Sequence, residues 1–505
     1  MDLARLLRGD LLVQSMSNRT PFFKAFGPLL FGRPARRTLQ KLERLNSLQE
    51  LYELFGHLLP DRLLAASEKG MNSRDRLFST QVTFWAFAAQ ILSPGTACRE
   101  IVRRVEAWWQ ESLGPTQAAS TSSSAYCQAR ARLEPAVLDL IRAEIAWSLE
   151  RNVLTEERWL GGRPVKIVDG TGVSMPDTPE NQAVWPQSTS QQPGCGFPMM
   201  KLVGLFSLSS GALLEAETGS LHVHESTLFR ALWNKLHRGD ILLADRGFCS
   251  YATLAALQQQ RGVDSVMRLH AMRTADFRTG RALGPEDRLV LWTKPALRPA
   301  VWTTEEYAAL PDTLPLRMIR LRVAAAGFRT KTVVLVTTLL DPIAYPANLL
   351  RELYGERWQV EMHFQQIKTF LAMDVLRCKS PELIQREVLM HQIAYNLVRS
   401  LMQRSAHVHG VPLSRLSFKG TLDTLRHWSG LIAAGPTPRQ QQKLIDQMLA
   451  LMAGDLVPER PGRSEPRAKK RRAKNYQVLN KPRHQMGNLP HRNRPGAKSP
   501  KSSLS

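Results

Sequence analysis

Two aspartates in this chain each follow a short apolar run that is typical of a buried β-strand. Asp169 comes after Val-Lys-Ile-Val and before Gly-Thr-Gly, and Asp245 comes after Ile-Leu-Leu-Ala and before Arg-Gly-Phe. A carboxylate at the C-terminal end of such a strand lies where open α/β sheets bind their ligands. Carboxylate oxygens suit Mg²⁺, which keeps several waters for its substrate. Taken alone, each aspartate could equally end a strand and begin a turn, because Asp-Gly is frequent in turns.

A third acid lies on a segment whose apolar pattern predicts a long helix. Tyr354, Arg357, Glu361 and Lys368 have offsets of 0, 3, 7 and 14 residues, which places them within an arc of about 60° on an α-helix. Two flanking cations favour an ionised carboxylate, which suits metal ligation, and they also suit phosphates beside a scissile bond. A solvated helix face with salt bridges is the alternative interpretation. The apolar stripe that would pack this helix on a sheet comprises Leu353, Val360, Phe364, Ile367 and Leu371.

The elements that must position these side chains follow from changes along the chain. Residues 1–155 read as a helical domain, because apolar residues recur there at helical spacing. Over residues 160–270, short β-type runs and helical stretches follow the order β-β-β-α-β-α-β, with a hairpin turn at Ser210 and Gly211. This order predicts an α/β domain with a mixed sheet.

Three further segments complete the predicted organisation. Residues 271–330 hold short strands with Pro and Gly turns, which we interpret as a β-rich insertion. Residues 331–400 return to a buried strand and then to the helix with the third acid. Residues 401–457 read as a helical C-terminal region.

The charge of the chain indicates a polyanionic partner. Its 505 residues include 68 Lys and Arg against 44 Asp and Glu, a net charge of +24, and nucleic acid is the usual partner of such a protein. Residues 458–505 contain 14 Lys and Arg against two Glu. We expect this basic tail to be disordered and able to bind phosphates.

Composition also bears on location. No apolar run reaches the roughly 18 to 20 residues that span a bilayer, and the N-terminus does not read as a signal peptide. Five cysteines without CxxC spacing do not indicate a disulfide framework or a zinc site. We therefore expect a cytoplasmic protein without a membrane partner.

The polar row and both aspartates resemble the motifs of a known family. The spacing Tyr-x2-Arg-x3-Glu-x6-Lys resembles the signature of the insertion-sequence-four family of bacterial DDE transposases, and all four positions match. The Asp-Gly-Thr, the Asp-Arg-Gly-Phe and the Thr-Leu-Leu run before the signature are similar to that family too. The resemblance covers roughly residues 160–400. It implies a ribonuclease-H-like core in two parts around the insertion, and DNA-end recognition by residues 1–155.

The same resemblance implies roles for individual residues. Asp169, Asp245 and Glu361 would form a catalytic triad that holds two Mg²⁺ ions, for which Mn²⁺ can substitute. Such a pair activates a water or a 3′-hydroxyl and stabilises the leaving oxygen of a phosphodiester. The DNA contacts that it implies are Tyr354, Arg357 and Lys368.

Tryptophans of the insertion are further candidates. Some relatives make a hairpin at the DNA end and flip a base onto a tryptophan of the insertion. Trp292 and Trp302 are the candidates here, and the resemblance does not choose between them. A position in the hydrophobic core is the alternative for both.

The implied partners are double-stranded DNA, as the inverted ends of the element and as target, and further copies of this chain. Two ends must be joined, so a homodimer or larger synaptic complex is expected, with a nucleoid-associated location. A nuclease of the same fold is one alternative, and the Tyr-Arg-Glu-Lys row argues against it. An inactive, DNA-binding derivative of a transposase is another, and three ordered acids argue against it.

The motif His-Val-His-Glu superficially resembles a metal site. In a strand, His222 and His224 would share one face, and Glu225 follows them. No third and fourth ligand of zinc type is evident in the sequence, so the motif by itself does not predict a metal centre.

A polar helix face is predicted just before the core. It consists of Gln128, Arg130 and Arg132. Similar text occurs in relatives, so a contact with DNA is one interpretation of this face.

Overall fold

A computed structural model describes residue 55 and residues 77–113, 122–322, 332–434, 437–458, 481–482 and 485–486. The helix predicted at residues 39–59, apart from residue 55, and nearly all of the predicted basic tail lie outside the described residues. Within the described ranges, no helix has the length and apolar character needed to cross a membrane.

One sheet of nine strands forms the centre of the molecule. The strands are β1 (Val165–Ser174), β2 (Met199–Ser207), β3 (Leu213–Ser220), β4 (Ile241–Ala244), β5 (Asp264–Arg268), β6 (Arg281–Gly284), β7 (Asp287–Thr293), β8 (Thr313–Arg322) and β9 (Thr332–Thr337). Their order across the sheet is β3-β2-β1-β4-β5-β9-β8-β7-β6. The neighbours β1 and β4 run parallel, as do β4 and β5, and the other neighbouring pairs are antiparallel. The predicted mixed sheet is therefore confirmed.

Helices cover both faces of this sheet. They are α1 (Thr80–Leu92), α2 (Cys98–Leu113), α3 (Ser124–Ala131), α4 (Pro135–Arg151), α5 (Pro179–Val184), α6 (Glu225–Ala231), α7 (Tyr251–Ala256), α8 (Thr304–Ala308), α9 (Ala347–Gly355), α10 (Gln359–Gln365), α11 (Pro381–His409), α12 (Phe418–Ala434) and α13 (Pro438–Gly454). Side chains alternate along a strand, so Ile167 of β1 joins the core under α9 to α13, and Val168 joins the core under α6 and α7.

The first part of the sheet follows the predicted β-β-β-α-β-α-β order except that the short helix α5 lies between β1 and β2, and the hairpin between β2 and β3 turns at the predicted Ser210 and Gly211. Gly211 has φ of +65°, and a β-carbon there would collide with the guanidinium of Arg399. The Arg399 Nη2 donates to the Ser210 carbonyl over 2.6 Å, and the Tyr395 hydroxyl donates to the Gly211 carbonyl over 2.6 Å. The helix α11 thereby fixes the hairpin next to β1.

The predicted insertion continues the same sheet. Its strands β6, β7 and β8 connect to the first part through β9, which pairs with β5 on one side and with β8 on the other. A buried ion pair braces this part: the Arg317 Nη2 lies 2.5 Å from the Asp287 Oδ2, and Arg317 Nη1 donates to the Tyr345 carbonyl over 2.6 Å.

The segment that carries the third acid differs from the predicted continuous α-helix. It consists of α9, a 3₁₀ turn (Glu356–Trp358), α10 and a π-helical turn (Gln366–Phe370). The positive φ of Ala372 follows, at 60°. Both irregular turns lie within the Tyr-Arg-Glu-Lys spacing, and π-turns occur frequently at functional sites.

The polar face predicted before the core is only partly polar in the structure. Arg130 of α3 is buried, with its guanidinium carbon 4.8 Å from the ring centre of Phe87 and 5.1 Å from that of Tyr126. Gln128 is exposed. Arg130 therefore does not belong to an accessible polar face, because aromatic rings of this helical layer enclose its cation.

Candidate active site

The register between two parallel strands brings the predicted aspartates together. The pairing of β1 with β4 ends at Val168 opposite Ala244, and Asp169 and Asp245 are the next residues. The strand β4 stops there, whereas β1 continues to Ser174 against β2. The prediction that Asp169 ends a strand is therefore wrong, and so is the Asp-Gly turn alternative. The antiparallel partner β2 extends the pairing beyond the point where β4 leaves.

Asp245 is positioned by the end of a fully buried strand. All four residues of β4 are buried, so Asp245 is the first position at which this strand meets solvent. Its Oδ1 accepts a hydrogen bond of 2.7 Å from the Arg246 amide, and its carbonyl accepts one of 3.1 Å from the Phe248 amide. The following 3₁₀ turn buries Phe248, which anchors the aspartate at the sheet edge.

Glu361 reaches the same edge from the helical layer. The apolar stripe predicted for this segment is buried in full, and it packs α9 against β5 and α10 against β1. It comprises Leu353, Val360, Phe364, Ile367 and Leu371. The side chain of Glu361 remains 42% exposed, so its carboxylate is available to a ligand from solvent.

The guanidinium of Arg357 links two of the three acids. Its Nη1 lies 3.5 Å from Asp169 Oδ2, and its Nη2 lies 3.4 Å from Glu361 Oε1. Burial opposes the charge of Arg357, but the negative groups around it, Asp245 included, raise its pKa. Both contacts exceed the 2.7–2.9 Å typical of charge-assisted hydrogen bonds, so this arginine is held loosely.

The carboxyl group of Asp169 is unusually easy to protonate. Burial raises its pKa from 3.8 to about 6, the Gly170 amide and Arg357 oppose the rise, and the negative charges of Asp245 and Glu361 add to it. Burial is thus the main reason for this rise, and the neighbouring carboxylates contribute less.

Tyr354 and Lys368 flank the acids on the same segment. Burial raises the pKa of Tyr354 to about 12, so its hydroxyl keeps its proton at neutral pH. The Lys368 ammonium donates to Thr171 Oγ1 over 3.0 Å and to the Gly172 carbonyl over 2.7 Å. The π-turn thereby places this lysine on β1, two to three residues beyond Asp169.

The donor set fits a divalent cation. Three carboxylates offer hard oxygen ligands, which Mg²⁺ prefers, and Asp169 is partly buried with the negative charges of Asp245 and Glu361 near it. Among the residues that the structure describes, no group of three or more His, Cys, Asp or Glu is arranged to hold a metal ion. Arg357 stands between Asp169 and Glu361 instead, so metal ligation by all three acids requires this guanidinium to move.

Both tryptophans proposed from the insertion are buried. Trp302 is 3% exposed, with its ring centre 5.9 Å from that of Trp233 and 4.1 Å from the guanidinium carbon of Arg230. Trp292 is 9% exposed, and the guanidinium of Arg273 lies 4.0 Å from its ring centre. Both tryptophans therefore lie in the hydrophobic core, which was the alternative to a role in base stacking.

Sequence reasoning missed an exposed tryptophan at the site. Trp358 directly follows Arg357 and is 59% exposed, and Met362, one turn further, is 39% exposed. The sequence did contain a signal for Trp358: it lies inside the Tyr-Arg-Glu-Lys spacing, and apolar side chains are unusual on the polar side of an amphipathic helix.

The His-Val-His-Glu motif is not in a strand. β3 ends before it, and His224 is the N-cap of α6, where its Nδ1 accepts a hydrogen bond of 3.2 Å from the Ser226 amide. The prediction that His222 and His224 share a strand face is wrong, because a turn separates β3 from α6.

Comparisons with known proteins find similarity to transposases. A family model described as a transposase DDE domain matches residues 160–397. The chain is 27% identical over 449 residues to the transposase InsG for insertion sequence element IS4 of Escherichia coli strain K12, covering 87% of this chain and 97% of that protein. It is 35% identical over 72 residues to the transposase for insertion sequence element IS421 of Escherichia coli, covering 14% and 19%. A solved piggyBac transposase synaptic complex with hairpin DNA matches with a TM-score of 0.39 and 11% identity, covering 86% and 88%.

The matched domain spans β1 with Asp169, the end of β4 with Asp245, and α10 with Glu361, and the protein is therefore an enzyme of the DDE transposase class. Within that class it is similar to the transposase of the IS4 element over nearly the whole length of that relative. The prediction made from the Tyr-Arg-Glu-Lys spacing is confirmed. DDE transposases use divalent metal ions and act on DNA.

Proposed function

We propose that this transposase cleaves and rejoins DNA strands at the inverted ends of its own insertion element, by a cut-and-paste route. The observation that carries the proposal is that three acids converge at the place where β4 ends beside β1. Strand register brings Asp169 beside Asp245, and Arg357 connects Asp169 to Glu361. The order β3-β2-β1-β4-β5, with its three parallel strands in succession, supports a ribonuclease-H-like core.

We infer that Asp169, Asp245 and Glu361 hold two Mg²⁺ ions, for which Mn²⁺ can substitute. When bound, such a pair activates a water or 3′-hydroxyl as nucleophile and stabilises the leaving oxygen of the phosphodiester. Asp169 has to be deprotonated to serve as a ligand, and its pKa of about 6 makes ion binding weaken as the solution becomes acidic.

Arg357 changes partners in this proposal. In the DNA-free protein its guanidinium compensates two carboxylates at 3.5 and 3.4 Å. Once cations neutralise Asp169 and Glu361, the guanidinium is free to bind a DNA phosphate, for which its planar fork is well suited. Tyr354 and Lys368 complete the contacts with the DNA end on either side of it.

Trp358 is a better candidate than Trp292 or Trp302 for stacking on an unpaired base. A base can reach a side chain that is 59% exposed, whereas the two insertion tryptophans are at least nine-tenths buried. A hairpin route with a flipped base would therefore use Trp358 unless the insertion rearranges on DNA.

The proposed partners are double-stranded DNA, as element ends and as target, and further copies of this chain. Joining two ends to one target requires at least two active sites, so a homodimer or larger synaptic complex is expected. The protein would work in the cytoplasm at the nucleoid. Residues 1–155 and the basic residues 458–505 are the proposed sources of additional DNA affinity.

The test is strand cleavage of DNA that carries the native element end, in Mg²⁺, by wild type and Glu361→Ala. The matched control is Glu352→Ala, an exposed acid on α9. We expect cleavage by Glu361→Ala to fall about a thousand-fold or more, with end binding retained, and no change for the control. Equal cleavage by wild type and Glu361→Ala would refute the triad.

The same assay separates the two alternatives. A nuclease would cut the DNA but not join the cut end to a target molecule. An inactive derivative would bind the end without cutting, in either variant. Joined products from wild type alone support the transposase.

A further inference from the structure

Two cysteines of the N-terminal helical layer lie in direct contact. Cys98 is the first residue of α2, and Cys127 belongs to α3. Their side chains form a hydrogen bond in which the Cys127 thiol donates to the Cys98 sulfur. Both residues are half-buried rather than enclosed. A small molecule from solvent can therefore reach this thiol pair.

A glutamine of α1 holds the start of α2 beside α3. The Gln90 Nε2 donates to the Cys98 sulfur over 3.6 Å and to the Thr96 carbonyl over 3.1 Å. The Gln90 Oε1 accepts a hydrogen bond of 2.9 Å from the Tyr126 hydroxyl. Tyr126 is fully buried on α3 and directly precedes Cys127. The position of Cys98 relative to Cys127 is thus fixed by a buried network.

A buried cation faces the pair. The Arg130 Nη2 donates to the Cys127 sulfur over 3.8 Å, and the rings of Phe87 and Tyr126 enclose its guanidinium. Because these rings keep the arginine out of solvent, its charge acts on the sulfur atoms with little screening. A cation beside a thiol favours the thiolate, which is the reactive form.

The two thiols differ in the ease with which they ionise. The hydrogen bond from Cys127 lowers the pKa of Cys98 well below its ordinary value, burial opposes this change, and the charge of Arg130 supports it. The same hydrogen bond, together with burial, raises the pKa of Cys127. The start of a helix also favours an anion at Cys98. The pair therefore consists of a nucleophilic thiolate and a neutral thiol beside it.

Other cysteines of the chain lack these features. Burial raises the pKa of Cys249 to about 12. Burial also raises the pKa of Cys378, and the negative charge of Glu387 adds to the rise. Cys195 is buried as well. We therefore expect oxidation to begin at Cys98.

We propose that Cys98 and Cys127 form an oxidation site, at which a peroxide converts the two thiols into a disulfide that links α2 to α3. The Cys98 sulfur attacks one oxygen of hydrogen peroxide, the O–O bond breaks, and a water leaves, which gives a sulfenic acid. The Cys127 sulfur then attacks the Cys98 sulfur, the S–O bond breaks, and a second water carries away the Cys127 proton. Two thiols are thereby oxidised by two electrons, and one peroxide is reduced to two waters.

This disulfide would be a reversible modification. The two sulfur atoms have to approach to about 2 Å, and their hydrogen bond already brings them into contact. A small thiol reduces the bond again by thiol–disulfide exchange. Transient disulfides of this kind are typical of redox-sensing proteins in a reducing compartment.

The test treats the reduced, full-length protein with hydrogen peroxide and maps its cysteines by mass spectrometry. After denaturation, N-ethylmaleimide blocks the thiols that remain. Trypsin cleaves between the two cysteines, at Arg99, Arg103 and Arg104, so their disulfide joins two separate peptides. We expect this joined pair of peptides, its loss on treatment with dithiothreitol, and oxidation of Cys98 about ten-fold faster than that of the buried cysteines.

Two variants separate the roles of the thiols. Cys127→Ser keeps a hydroxyl that can donate to Cys98 but removes the second sulfur, so the reaction should stop at the sulfenic acid, which dimedone traps. Cys195→Ser is the matched control and should form the disulfide at the wild-type rate. The wild-type map decides the question even if a variant does not fold. A disulfide to Cys378, equal oxidation of all five cysteines, or a wild-type protein without the joined peptides would overturn the proposal.

Discussion

Two arginine–carboxylate groups lie on different parts of this sheet, one on β7 and β8 and one beside β1 and β4, and they differ in length and in exposure. Arg317 and Asp287 form a short pair of 2.5 Å in which both side chains are at least nine-tenths buried. Arg357 contacts Asp169 and Glu361 at 3.5 and 3.4 Å, and Glu361 is 42% exposed. The first pair has no room for a ligand and braces the strands of the insertion. The second is loose and accessible, which is what an exchange of partners requires.

The largest expected effect comes from removing the loose arginine. Arg357→Ala should lower strand cleavage by about a hundred- to a thousand-fold, because a charge that stabilises the reacting phosphate is lost. The thermal midpoint should change little, since both contacts are long and both acids are partly exposed. Single-turnover cleavage and thermal unfolding measure the two effects. If Arg357→Ala were strongly destabilised but still cleaved DNA, Arg357 would be a structural residue like Arg317.

The buried arginine should behave in the opposite way. Arg317→Ala leaves Asp287 buried without its counter-charge, which costs about 3–5 kcal/mol of the free energy of unfolding. Cleavage per folded molecule should be unchanged at low temperature. Urea unfolding checks the first expectation. Loss of cleavage in fully folded protein would show that the insertion pair also serves the active site.

The tryptophans extend the same contrast between bracing and available side chains. Trp302→Ala should cost about 3–5 kcal/mol of stability, as expected for a large core residue. Trp358→Ala should change stability by less than about 0.5 kcal/mol and weaken binding of a DNA end with an unpaired base by about 1–3 kcal/mol. Unfolding and fluorescence anisotropy give both values. If Trp358→Ala binds such DNA normally, Trp358 does not stack on the unpaired base, and Trp292 and Trp302 become the candidates again.

The free energy of unfolding should depend on pH through Asp169, one of the two acids that contact Arg357. The Asp169 pKa rises from 3.8 to about 6 on folding, so the folded state favours the protonated acid. The resulting loss of stability is absent below pH 3.8, grows up to about pH 6 and is complete above it. Asp169→Asn should therefore stabilise the metal-free protein by about 2 kcal/mol at pH 7.5, and not at pH 4. Equal stabilisation at both pH values would exclude this origin.

The smallest effect is expected from replacing the whole buried pair. Arg317→Met combined with Asp287→Leu removes both charges together, and such replacements are often neutral within about 1 kcal/mol. The double variant should unfold near the wild-type midpoint and cleave normally. Destabilisation as large as that of Arg317→Ala would mean that the hydrogen bond to the Tyr345 carbonyl, rather than the ion pair, braces the insertion.

Sequence patterns predicted the elements and the three acids, because each rests on local information. The buried runs before Asp169 and Asp245 predict strands, whereas the pairing of those strands as neighbours is known only from the fold. The continuation of β1 past Asp169 depends on its distant partner β2, so Gly-Thr-Gly was open to interpretation as a turn. The burial of Arg130 depends in part on the ring of Phe87 on another helix, α1, which no local pattern reports.

The breaks in the catalytic segment were also beyond local prediction. Offsets of 0, 3, 7 and 14 fit a regular α-helix, and they do not reveal a 3₁₀ turn at Arg357 or a π-turn at Lys368. In the sequence, Glu225 attracted attention only because it follows His222 and His224. Its contact with Gly170, the residue after Asp169, depends on the packing of α6 on the sheet and is not evident from the sequence.

The central claim is that the acids at the sheet edge are ligands of the catalytic metal, and a change of metal preference tests it most directly. Asp245→Cys replaces a hard oxygen ligand by sulfur, which Mg²⁺ accepts poorly and Mn²⁺ accepts better. We predict that Asp245→Cys binds the element end, fails to cleave it in Mg²⁺ and regains part of its cleavage in Mn²⁺. Cleavage in Mg²⁺ at the wild-type rate would contradict the account, because Asp245 would then not be a ligand.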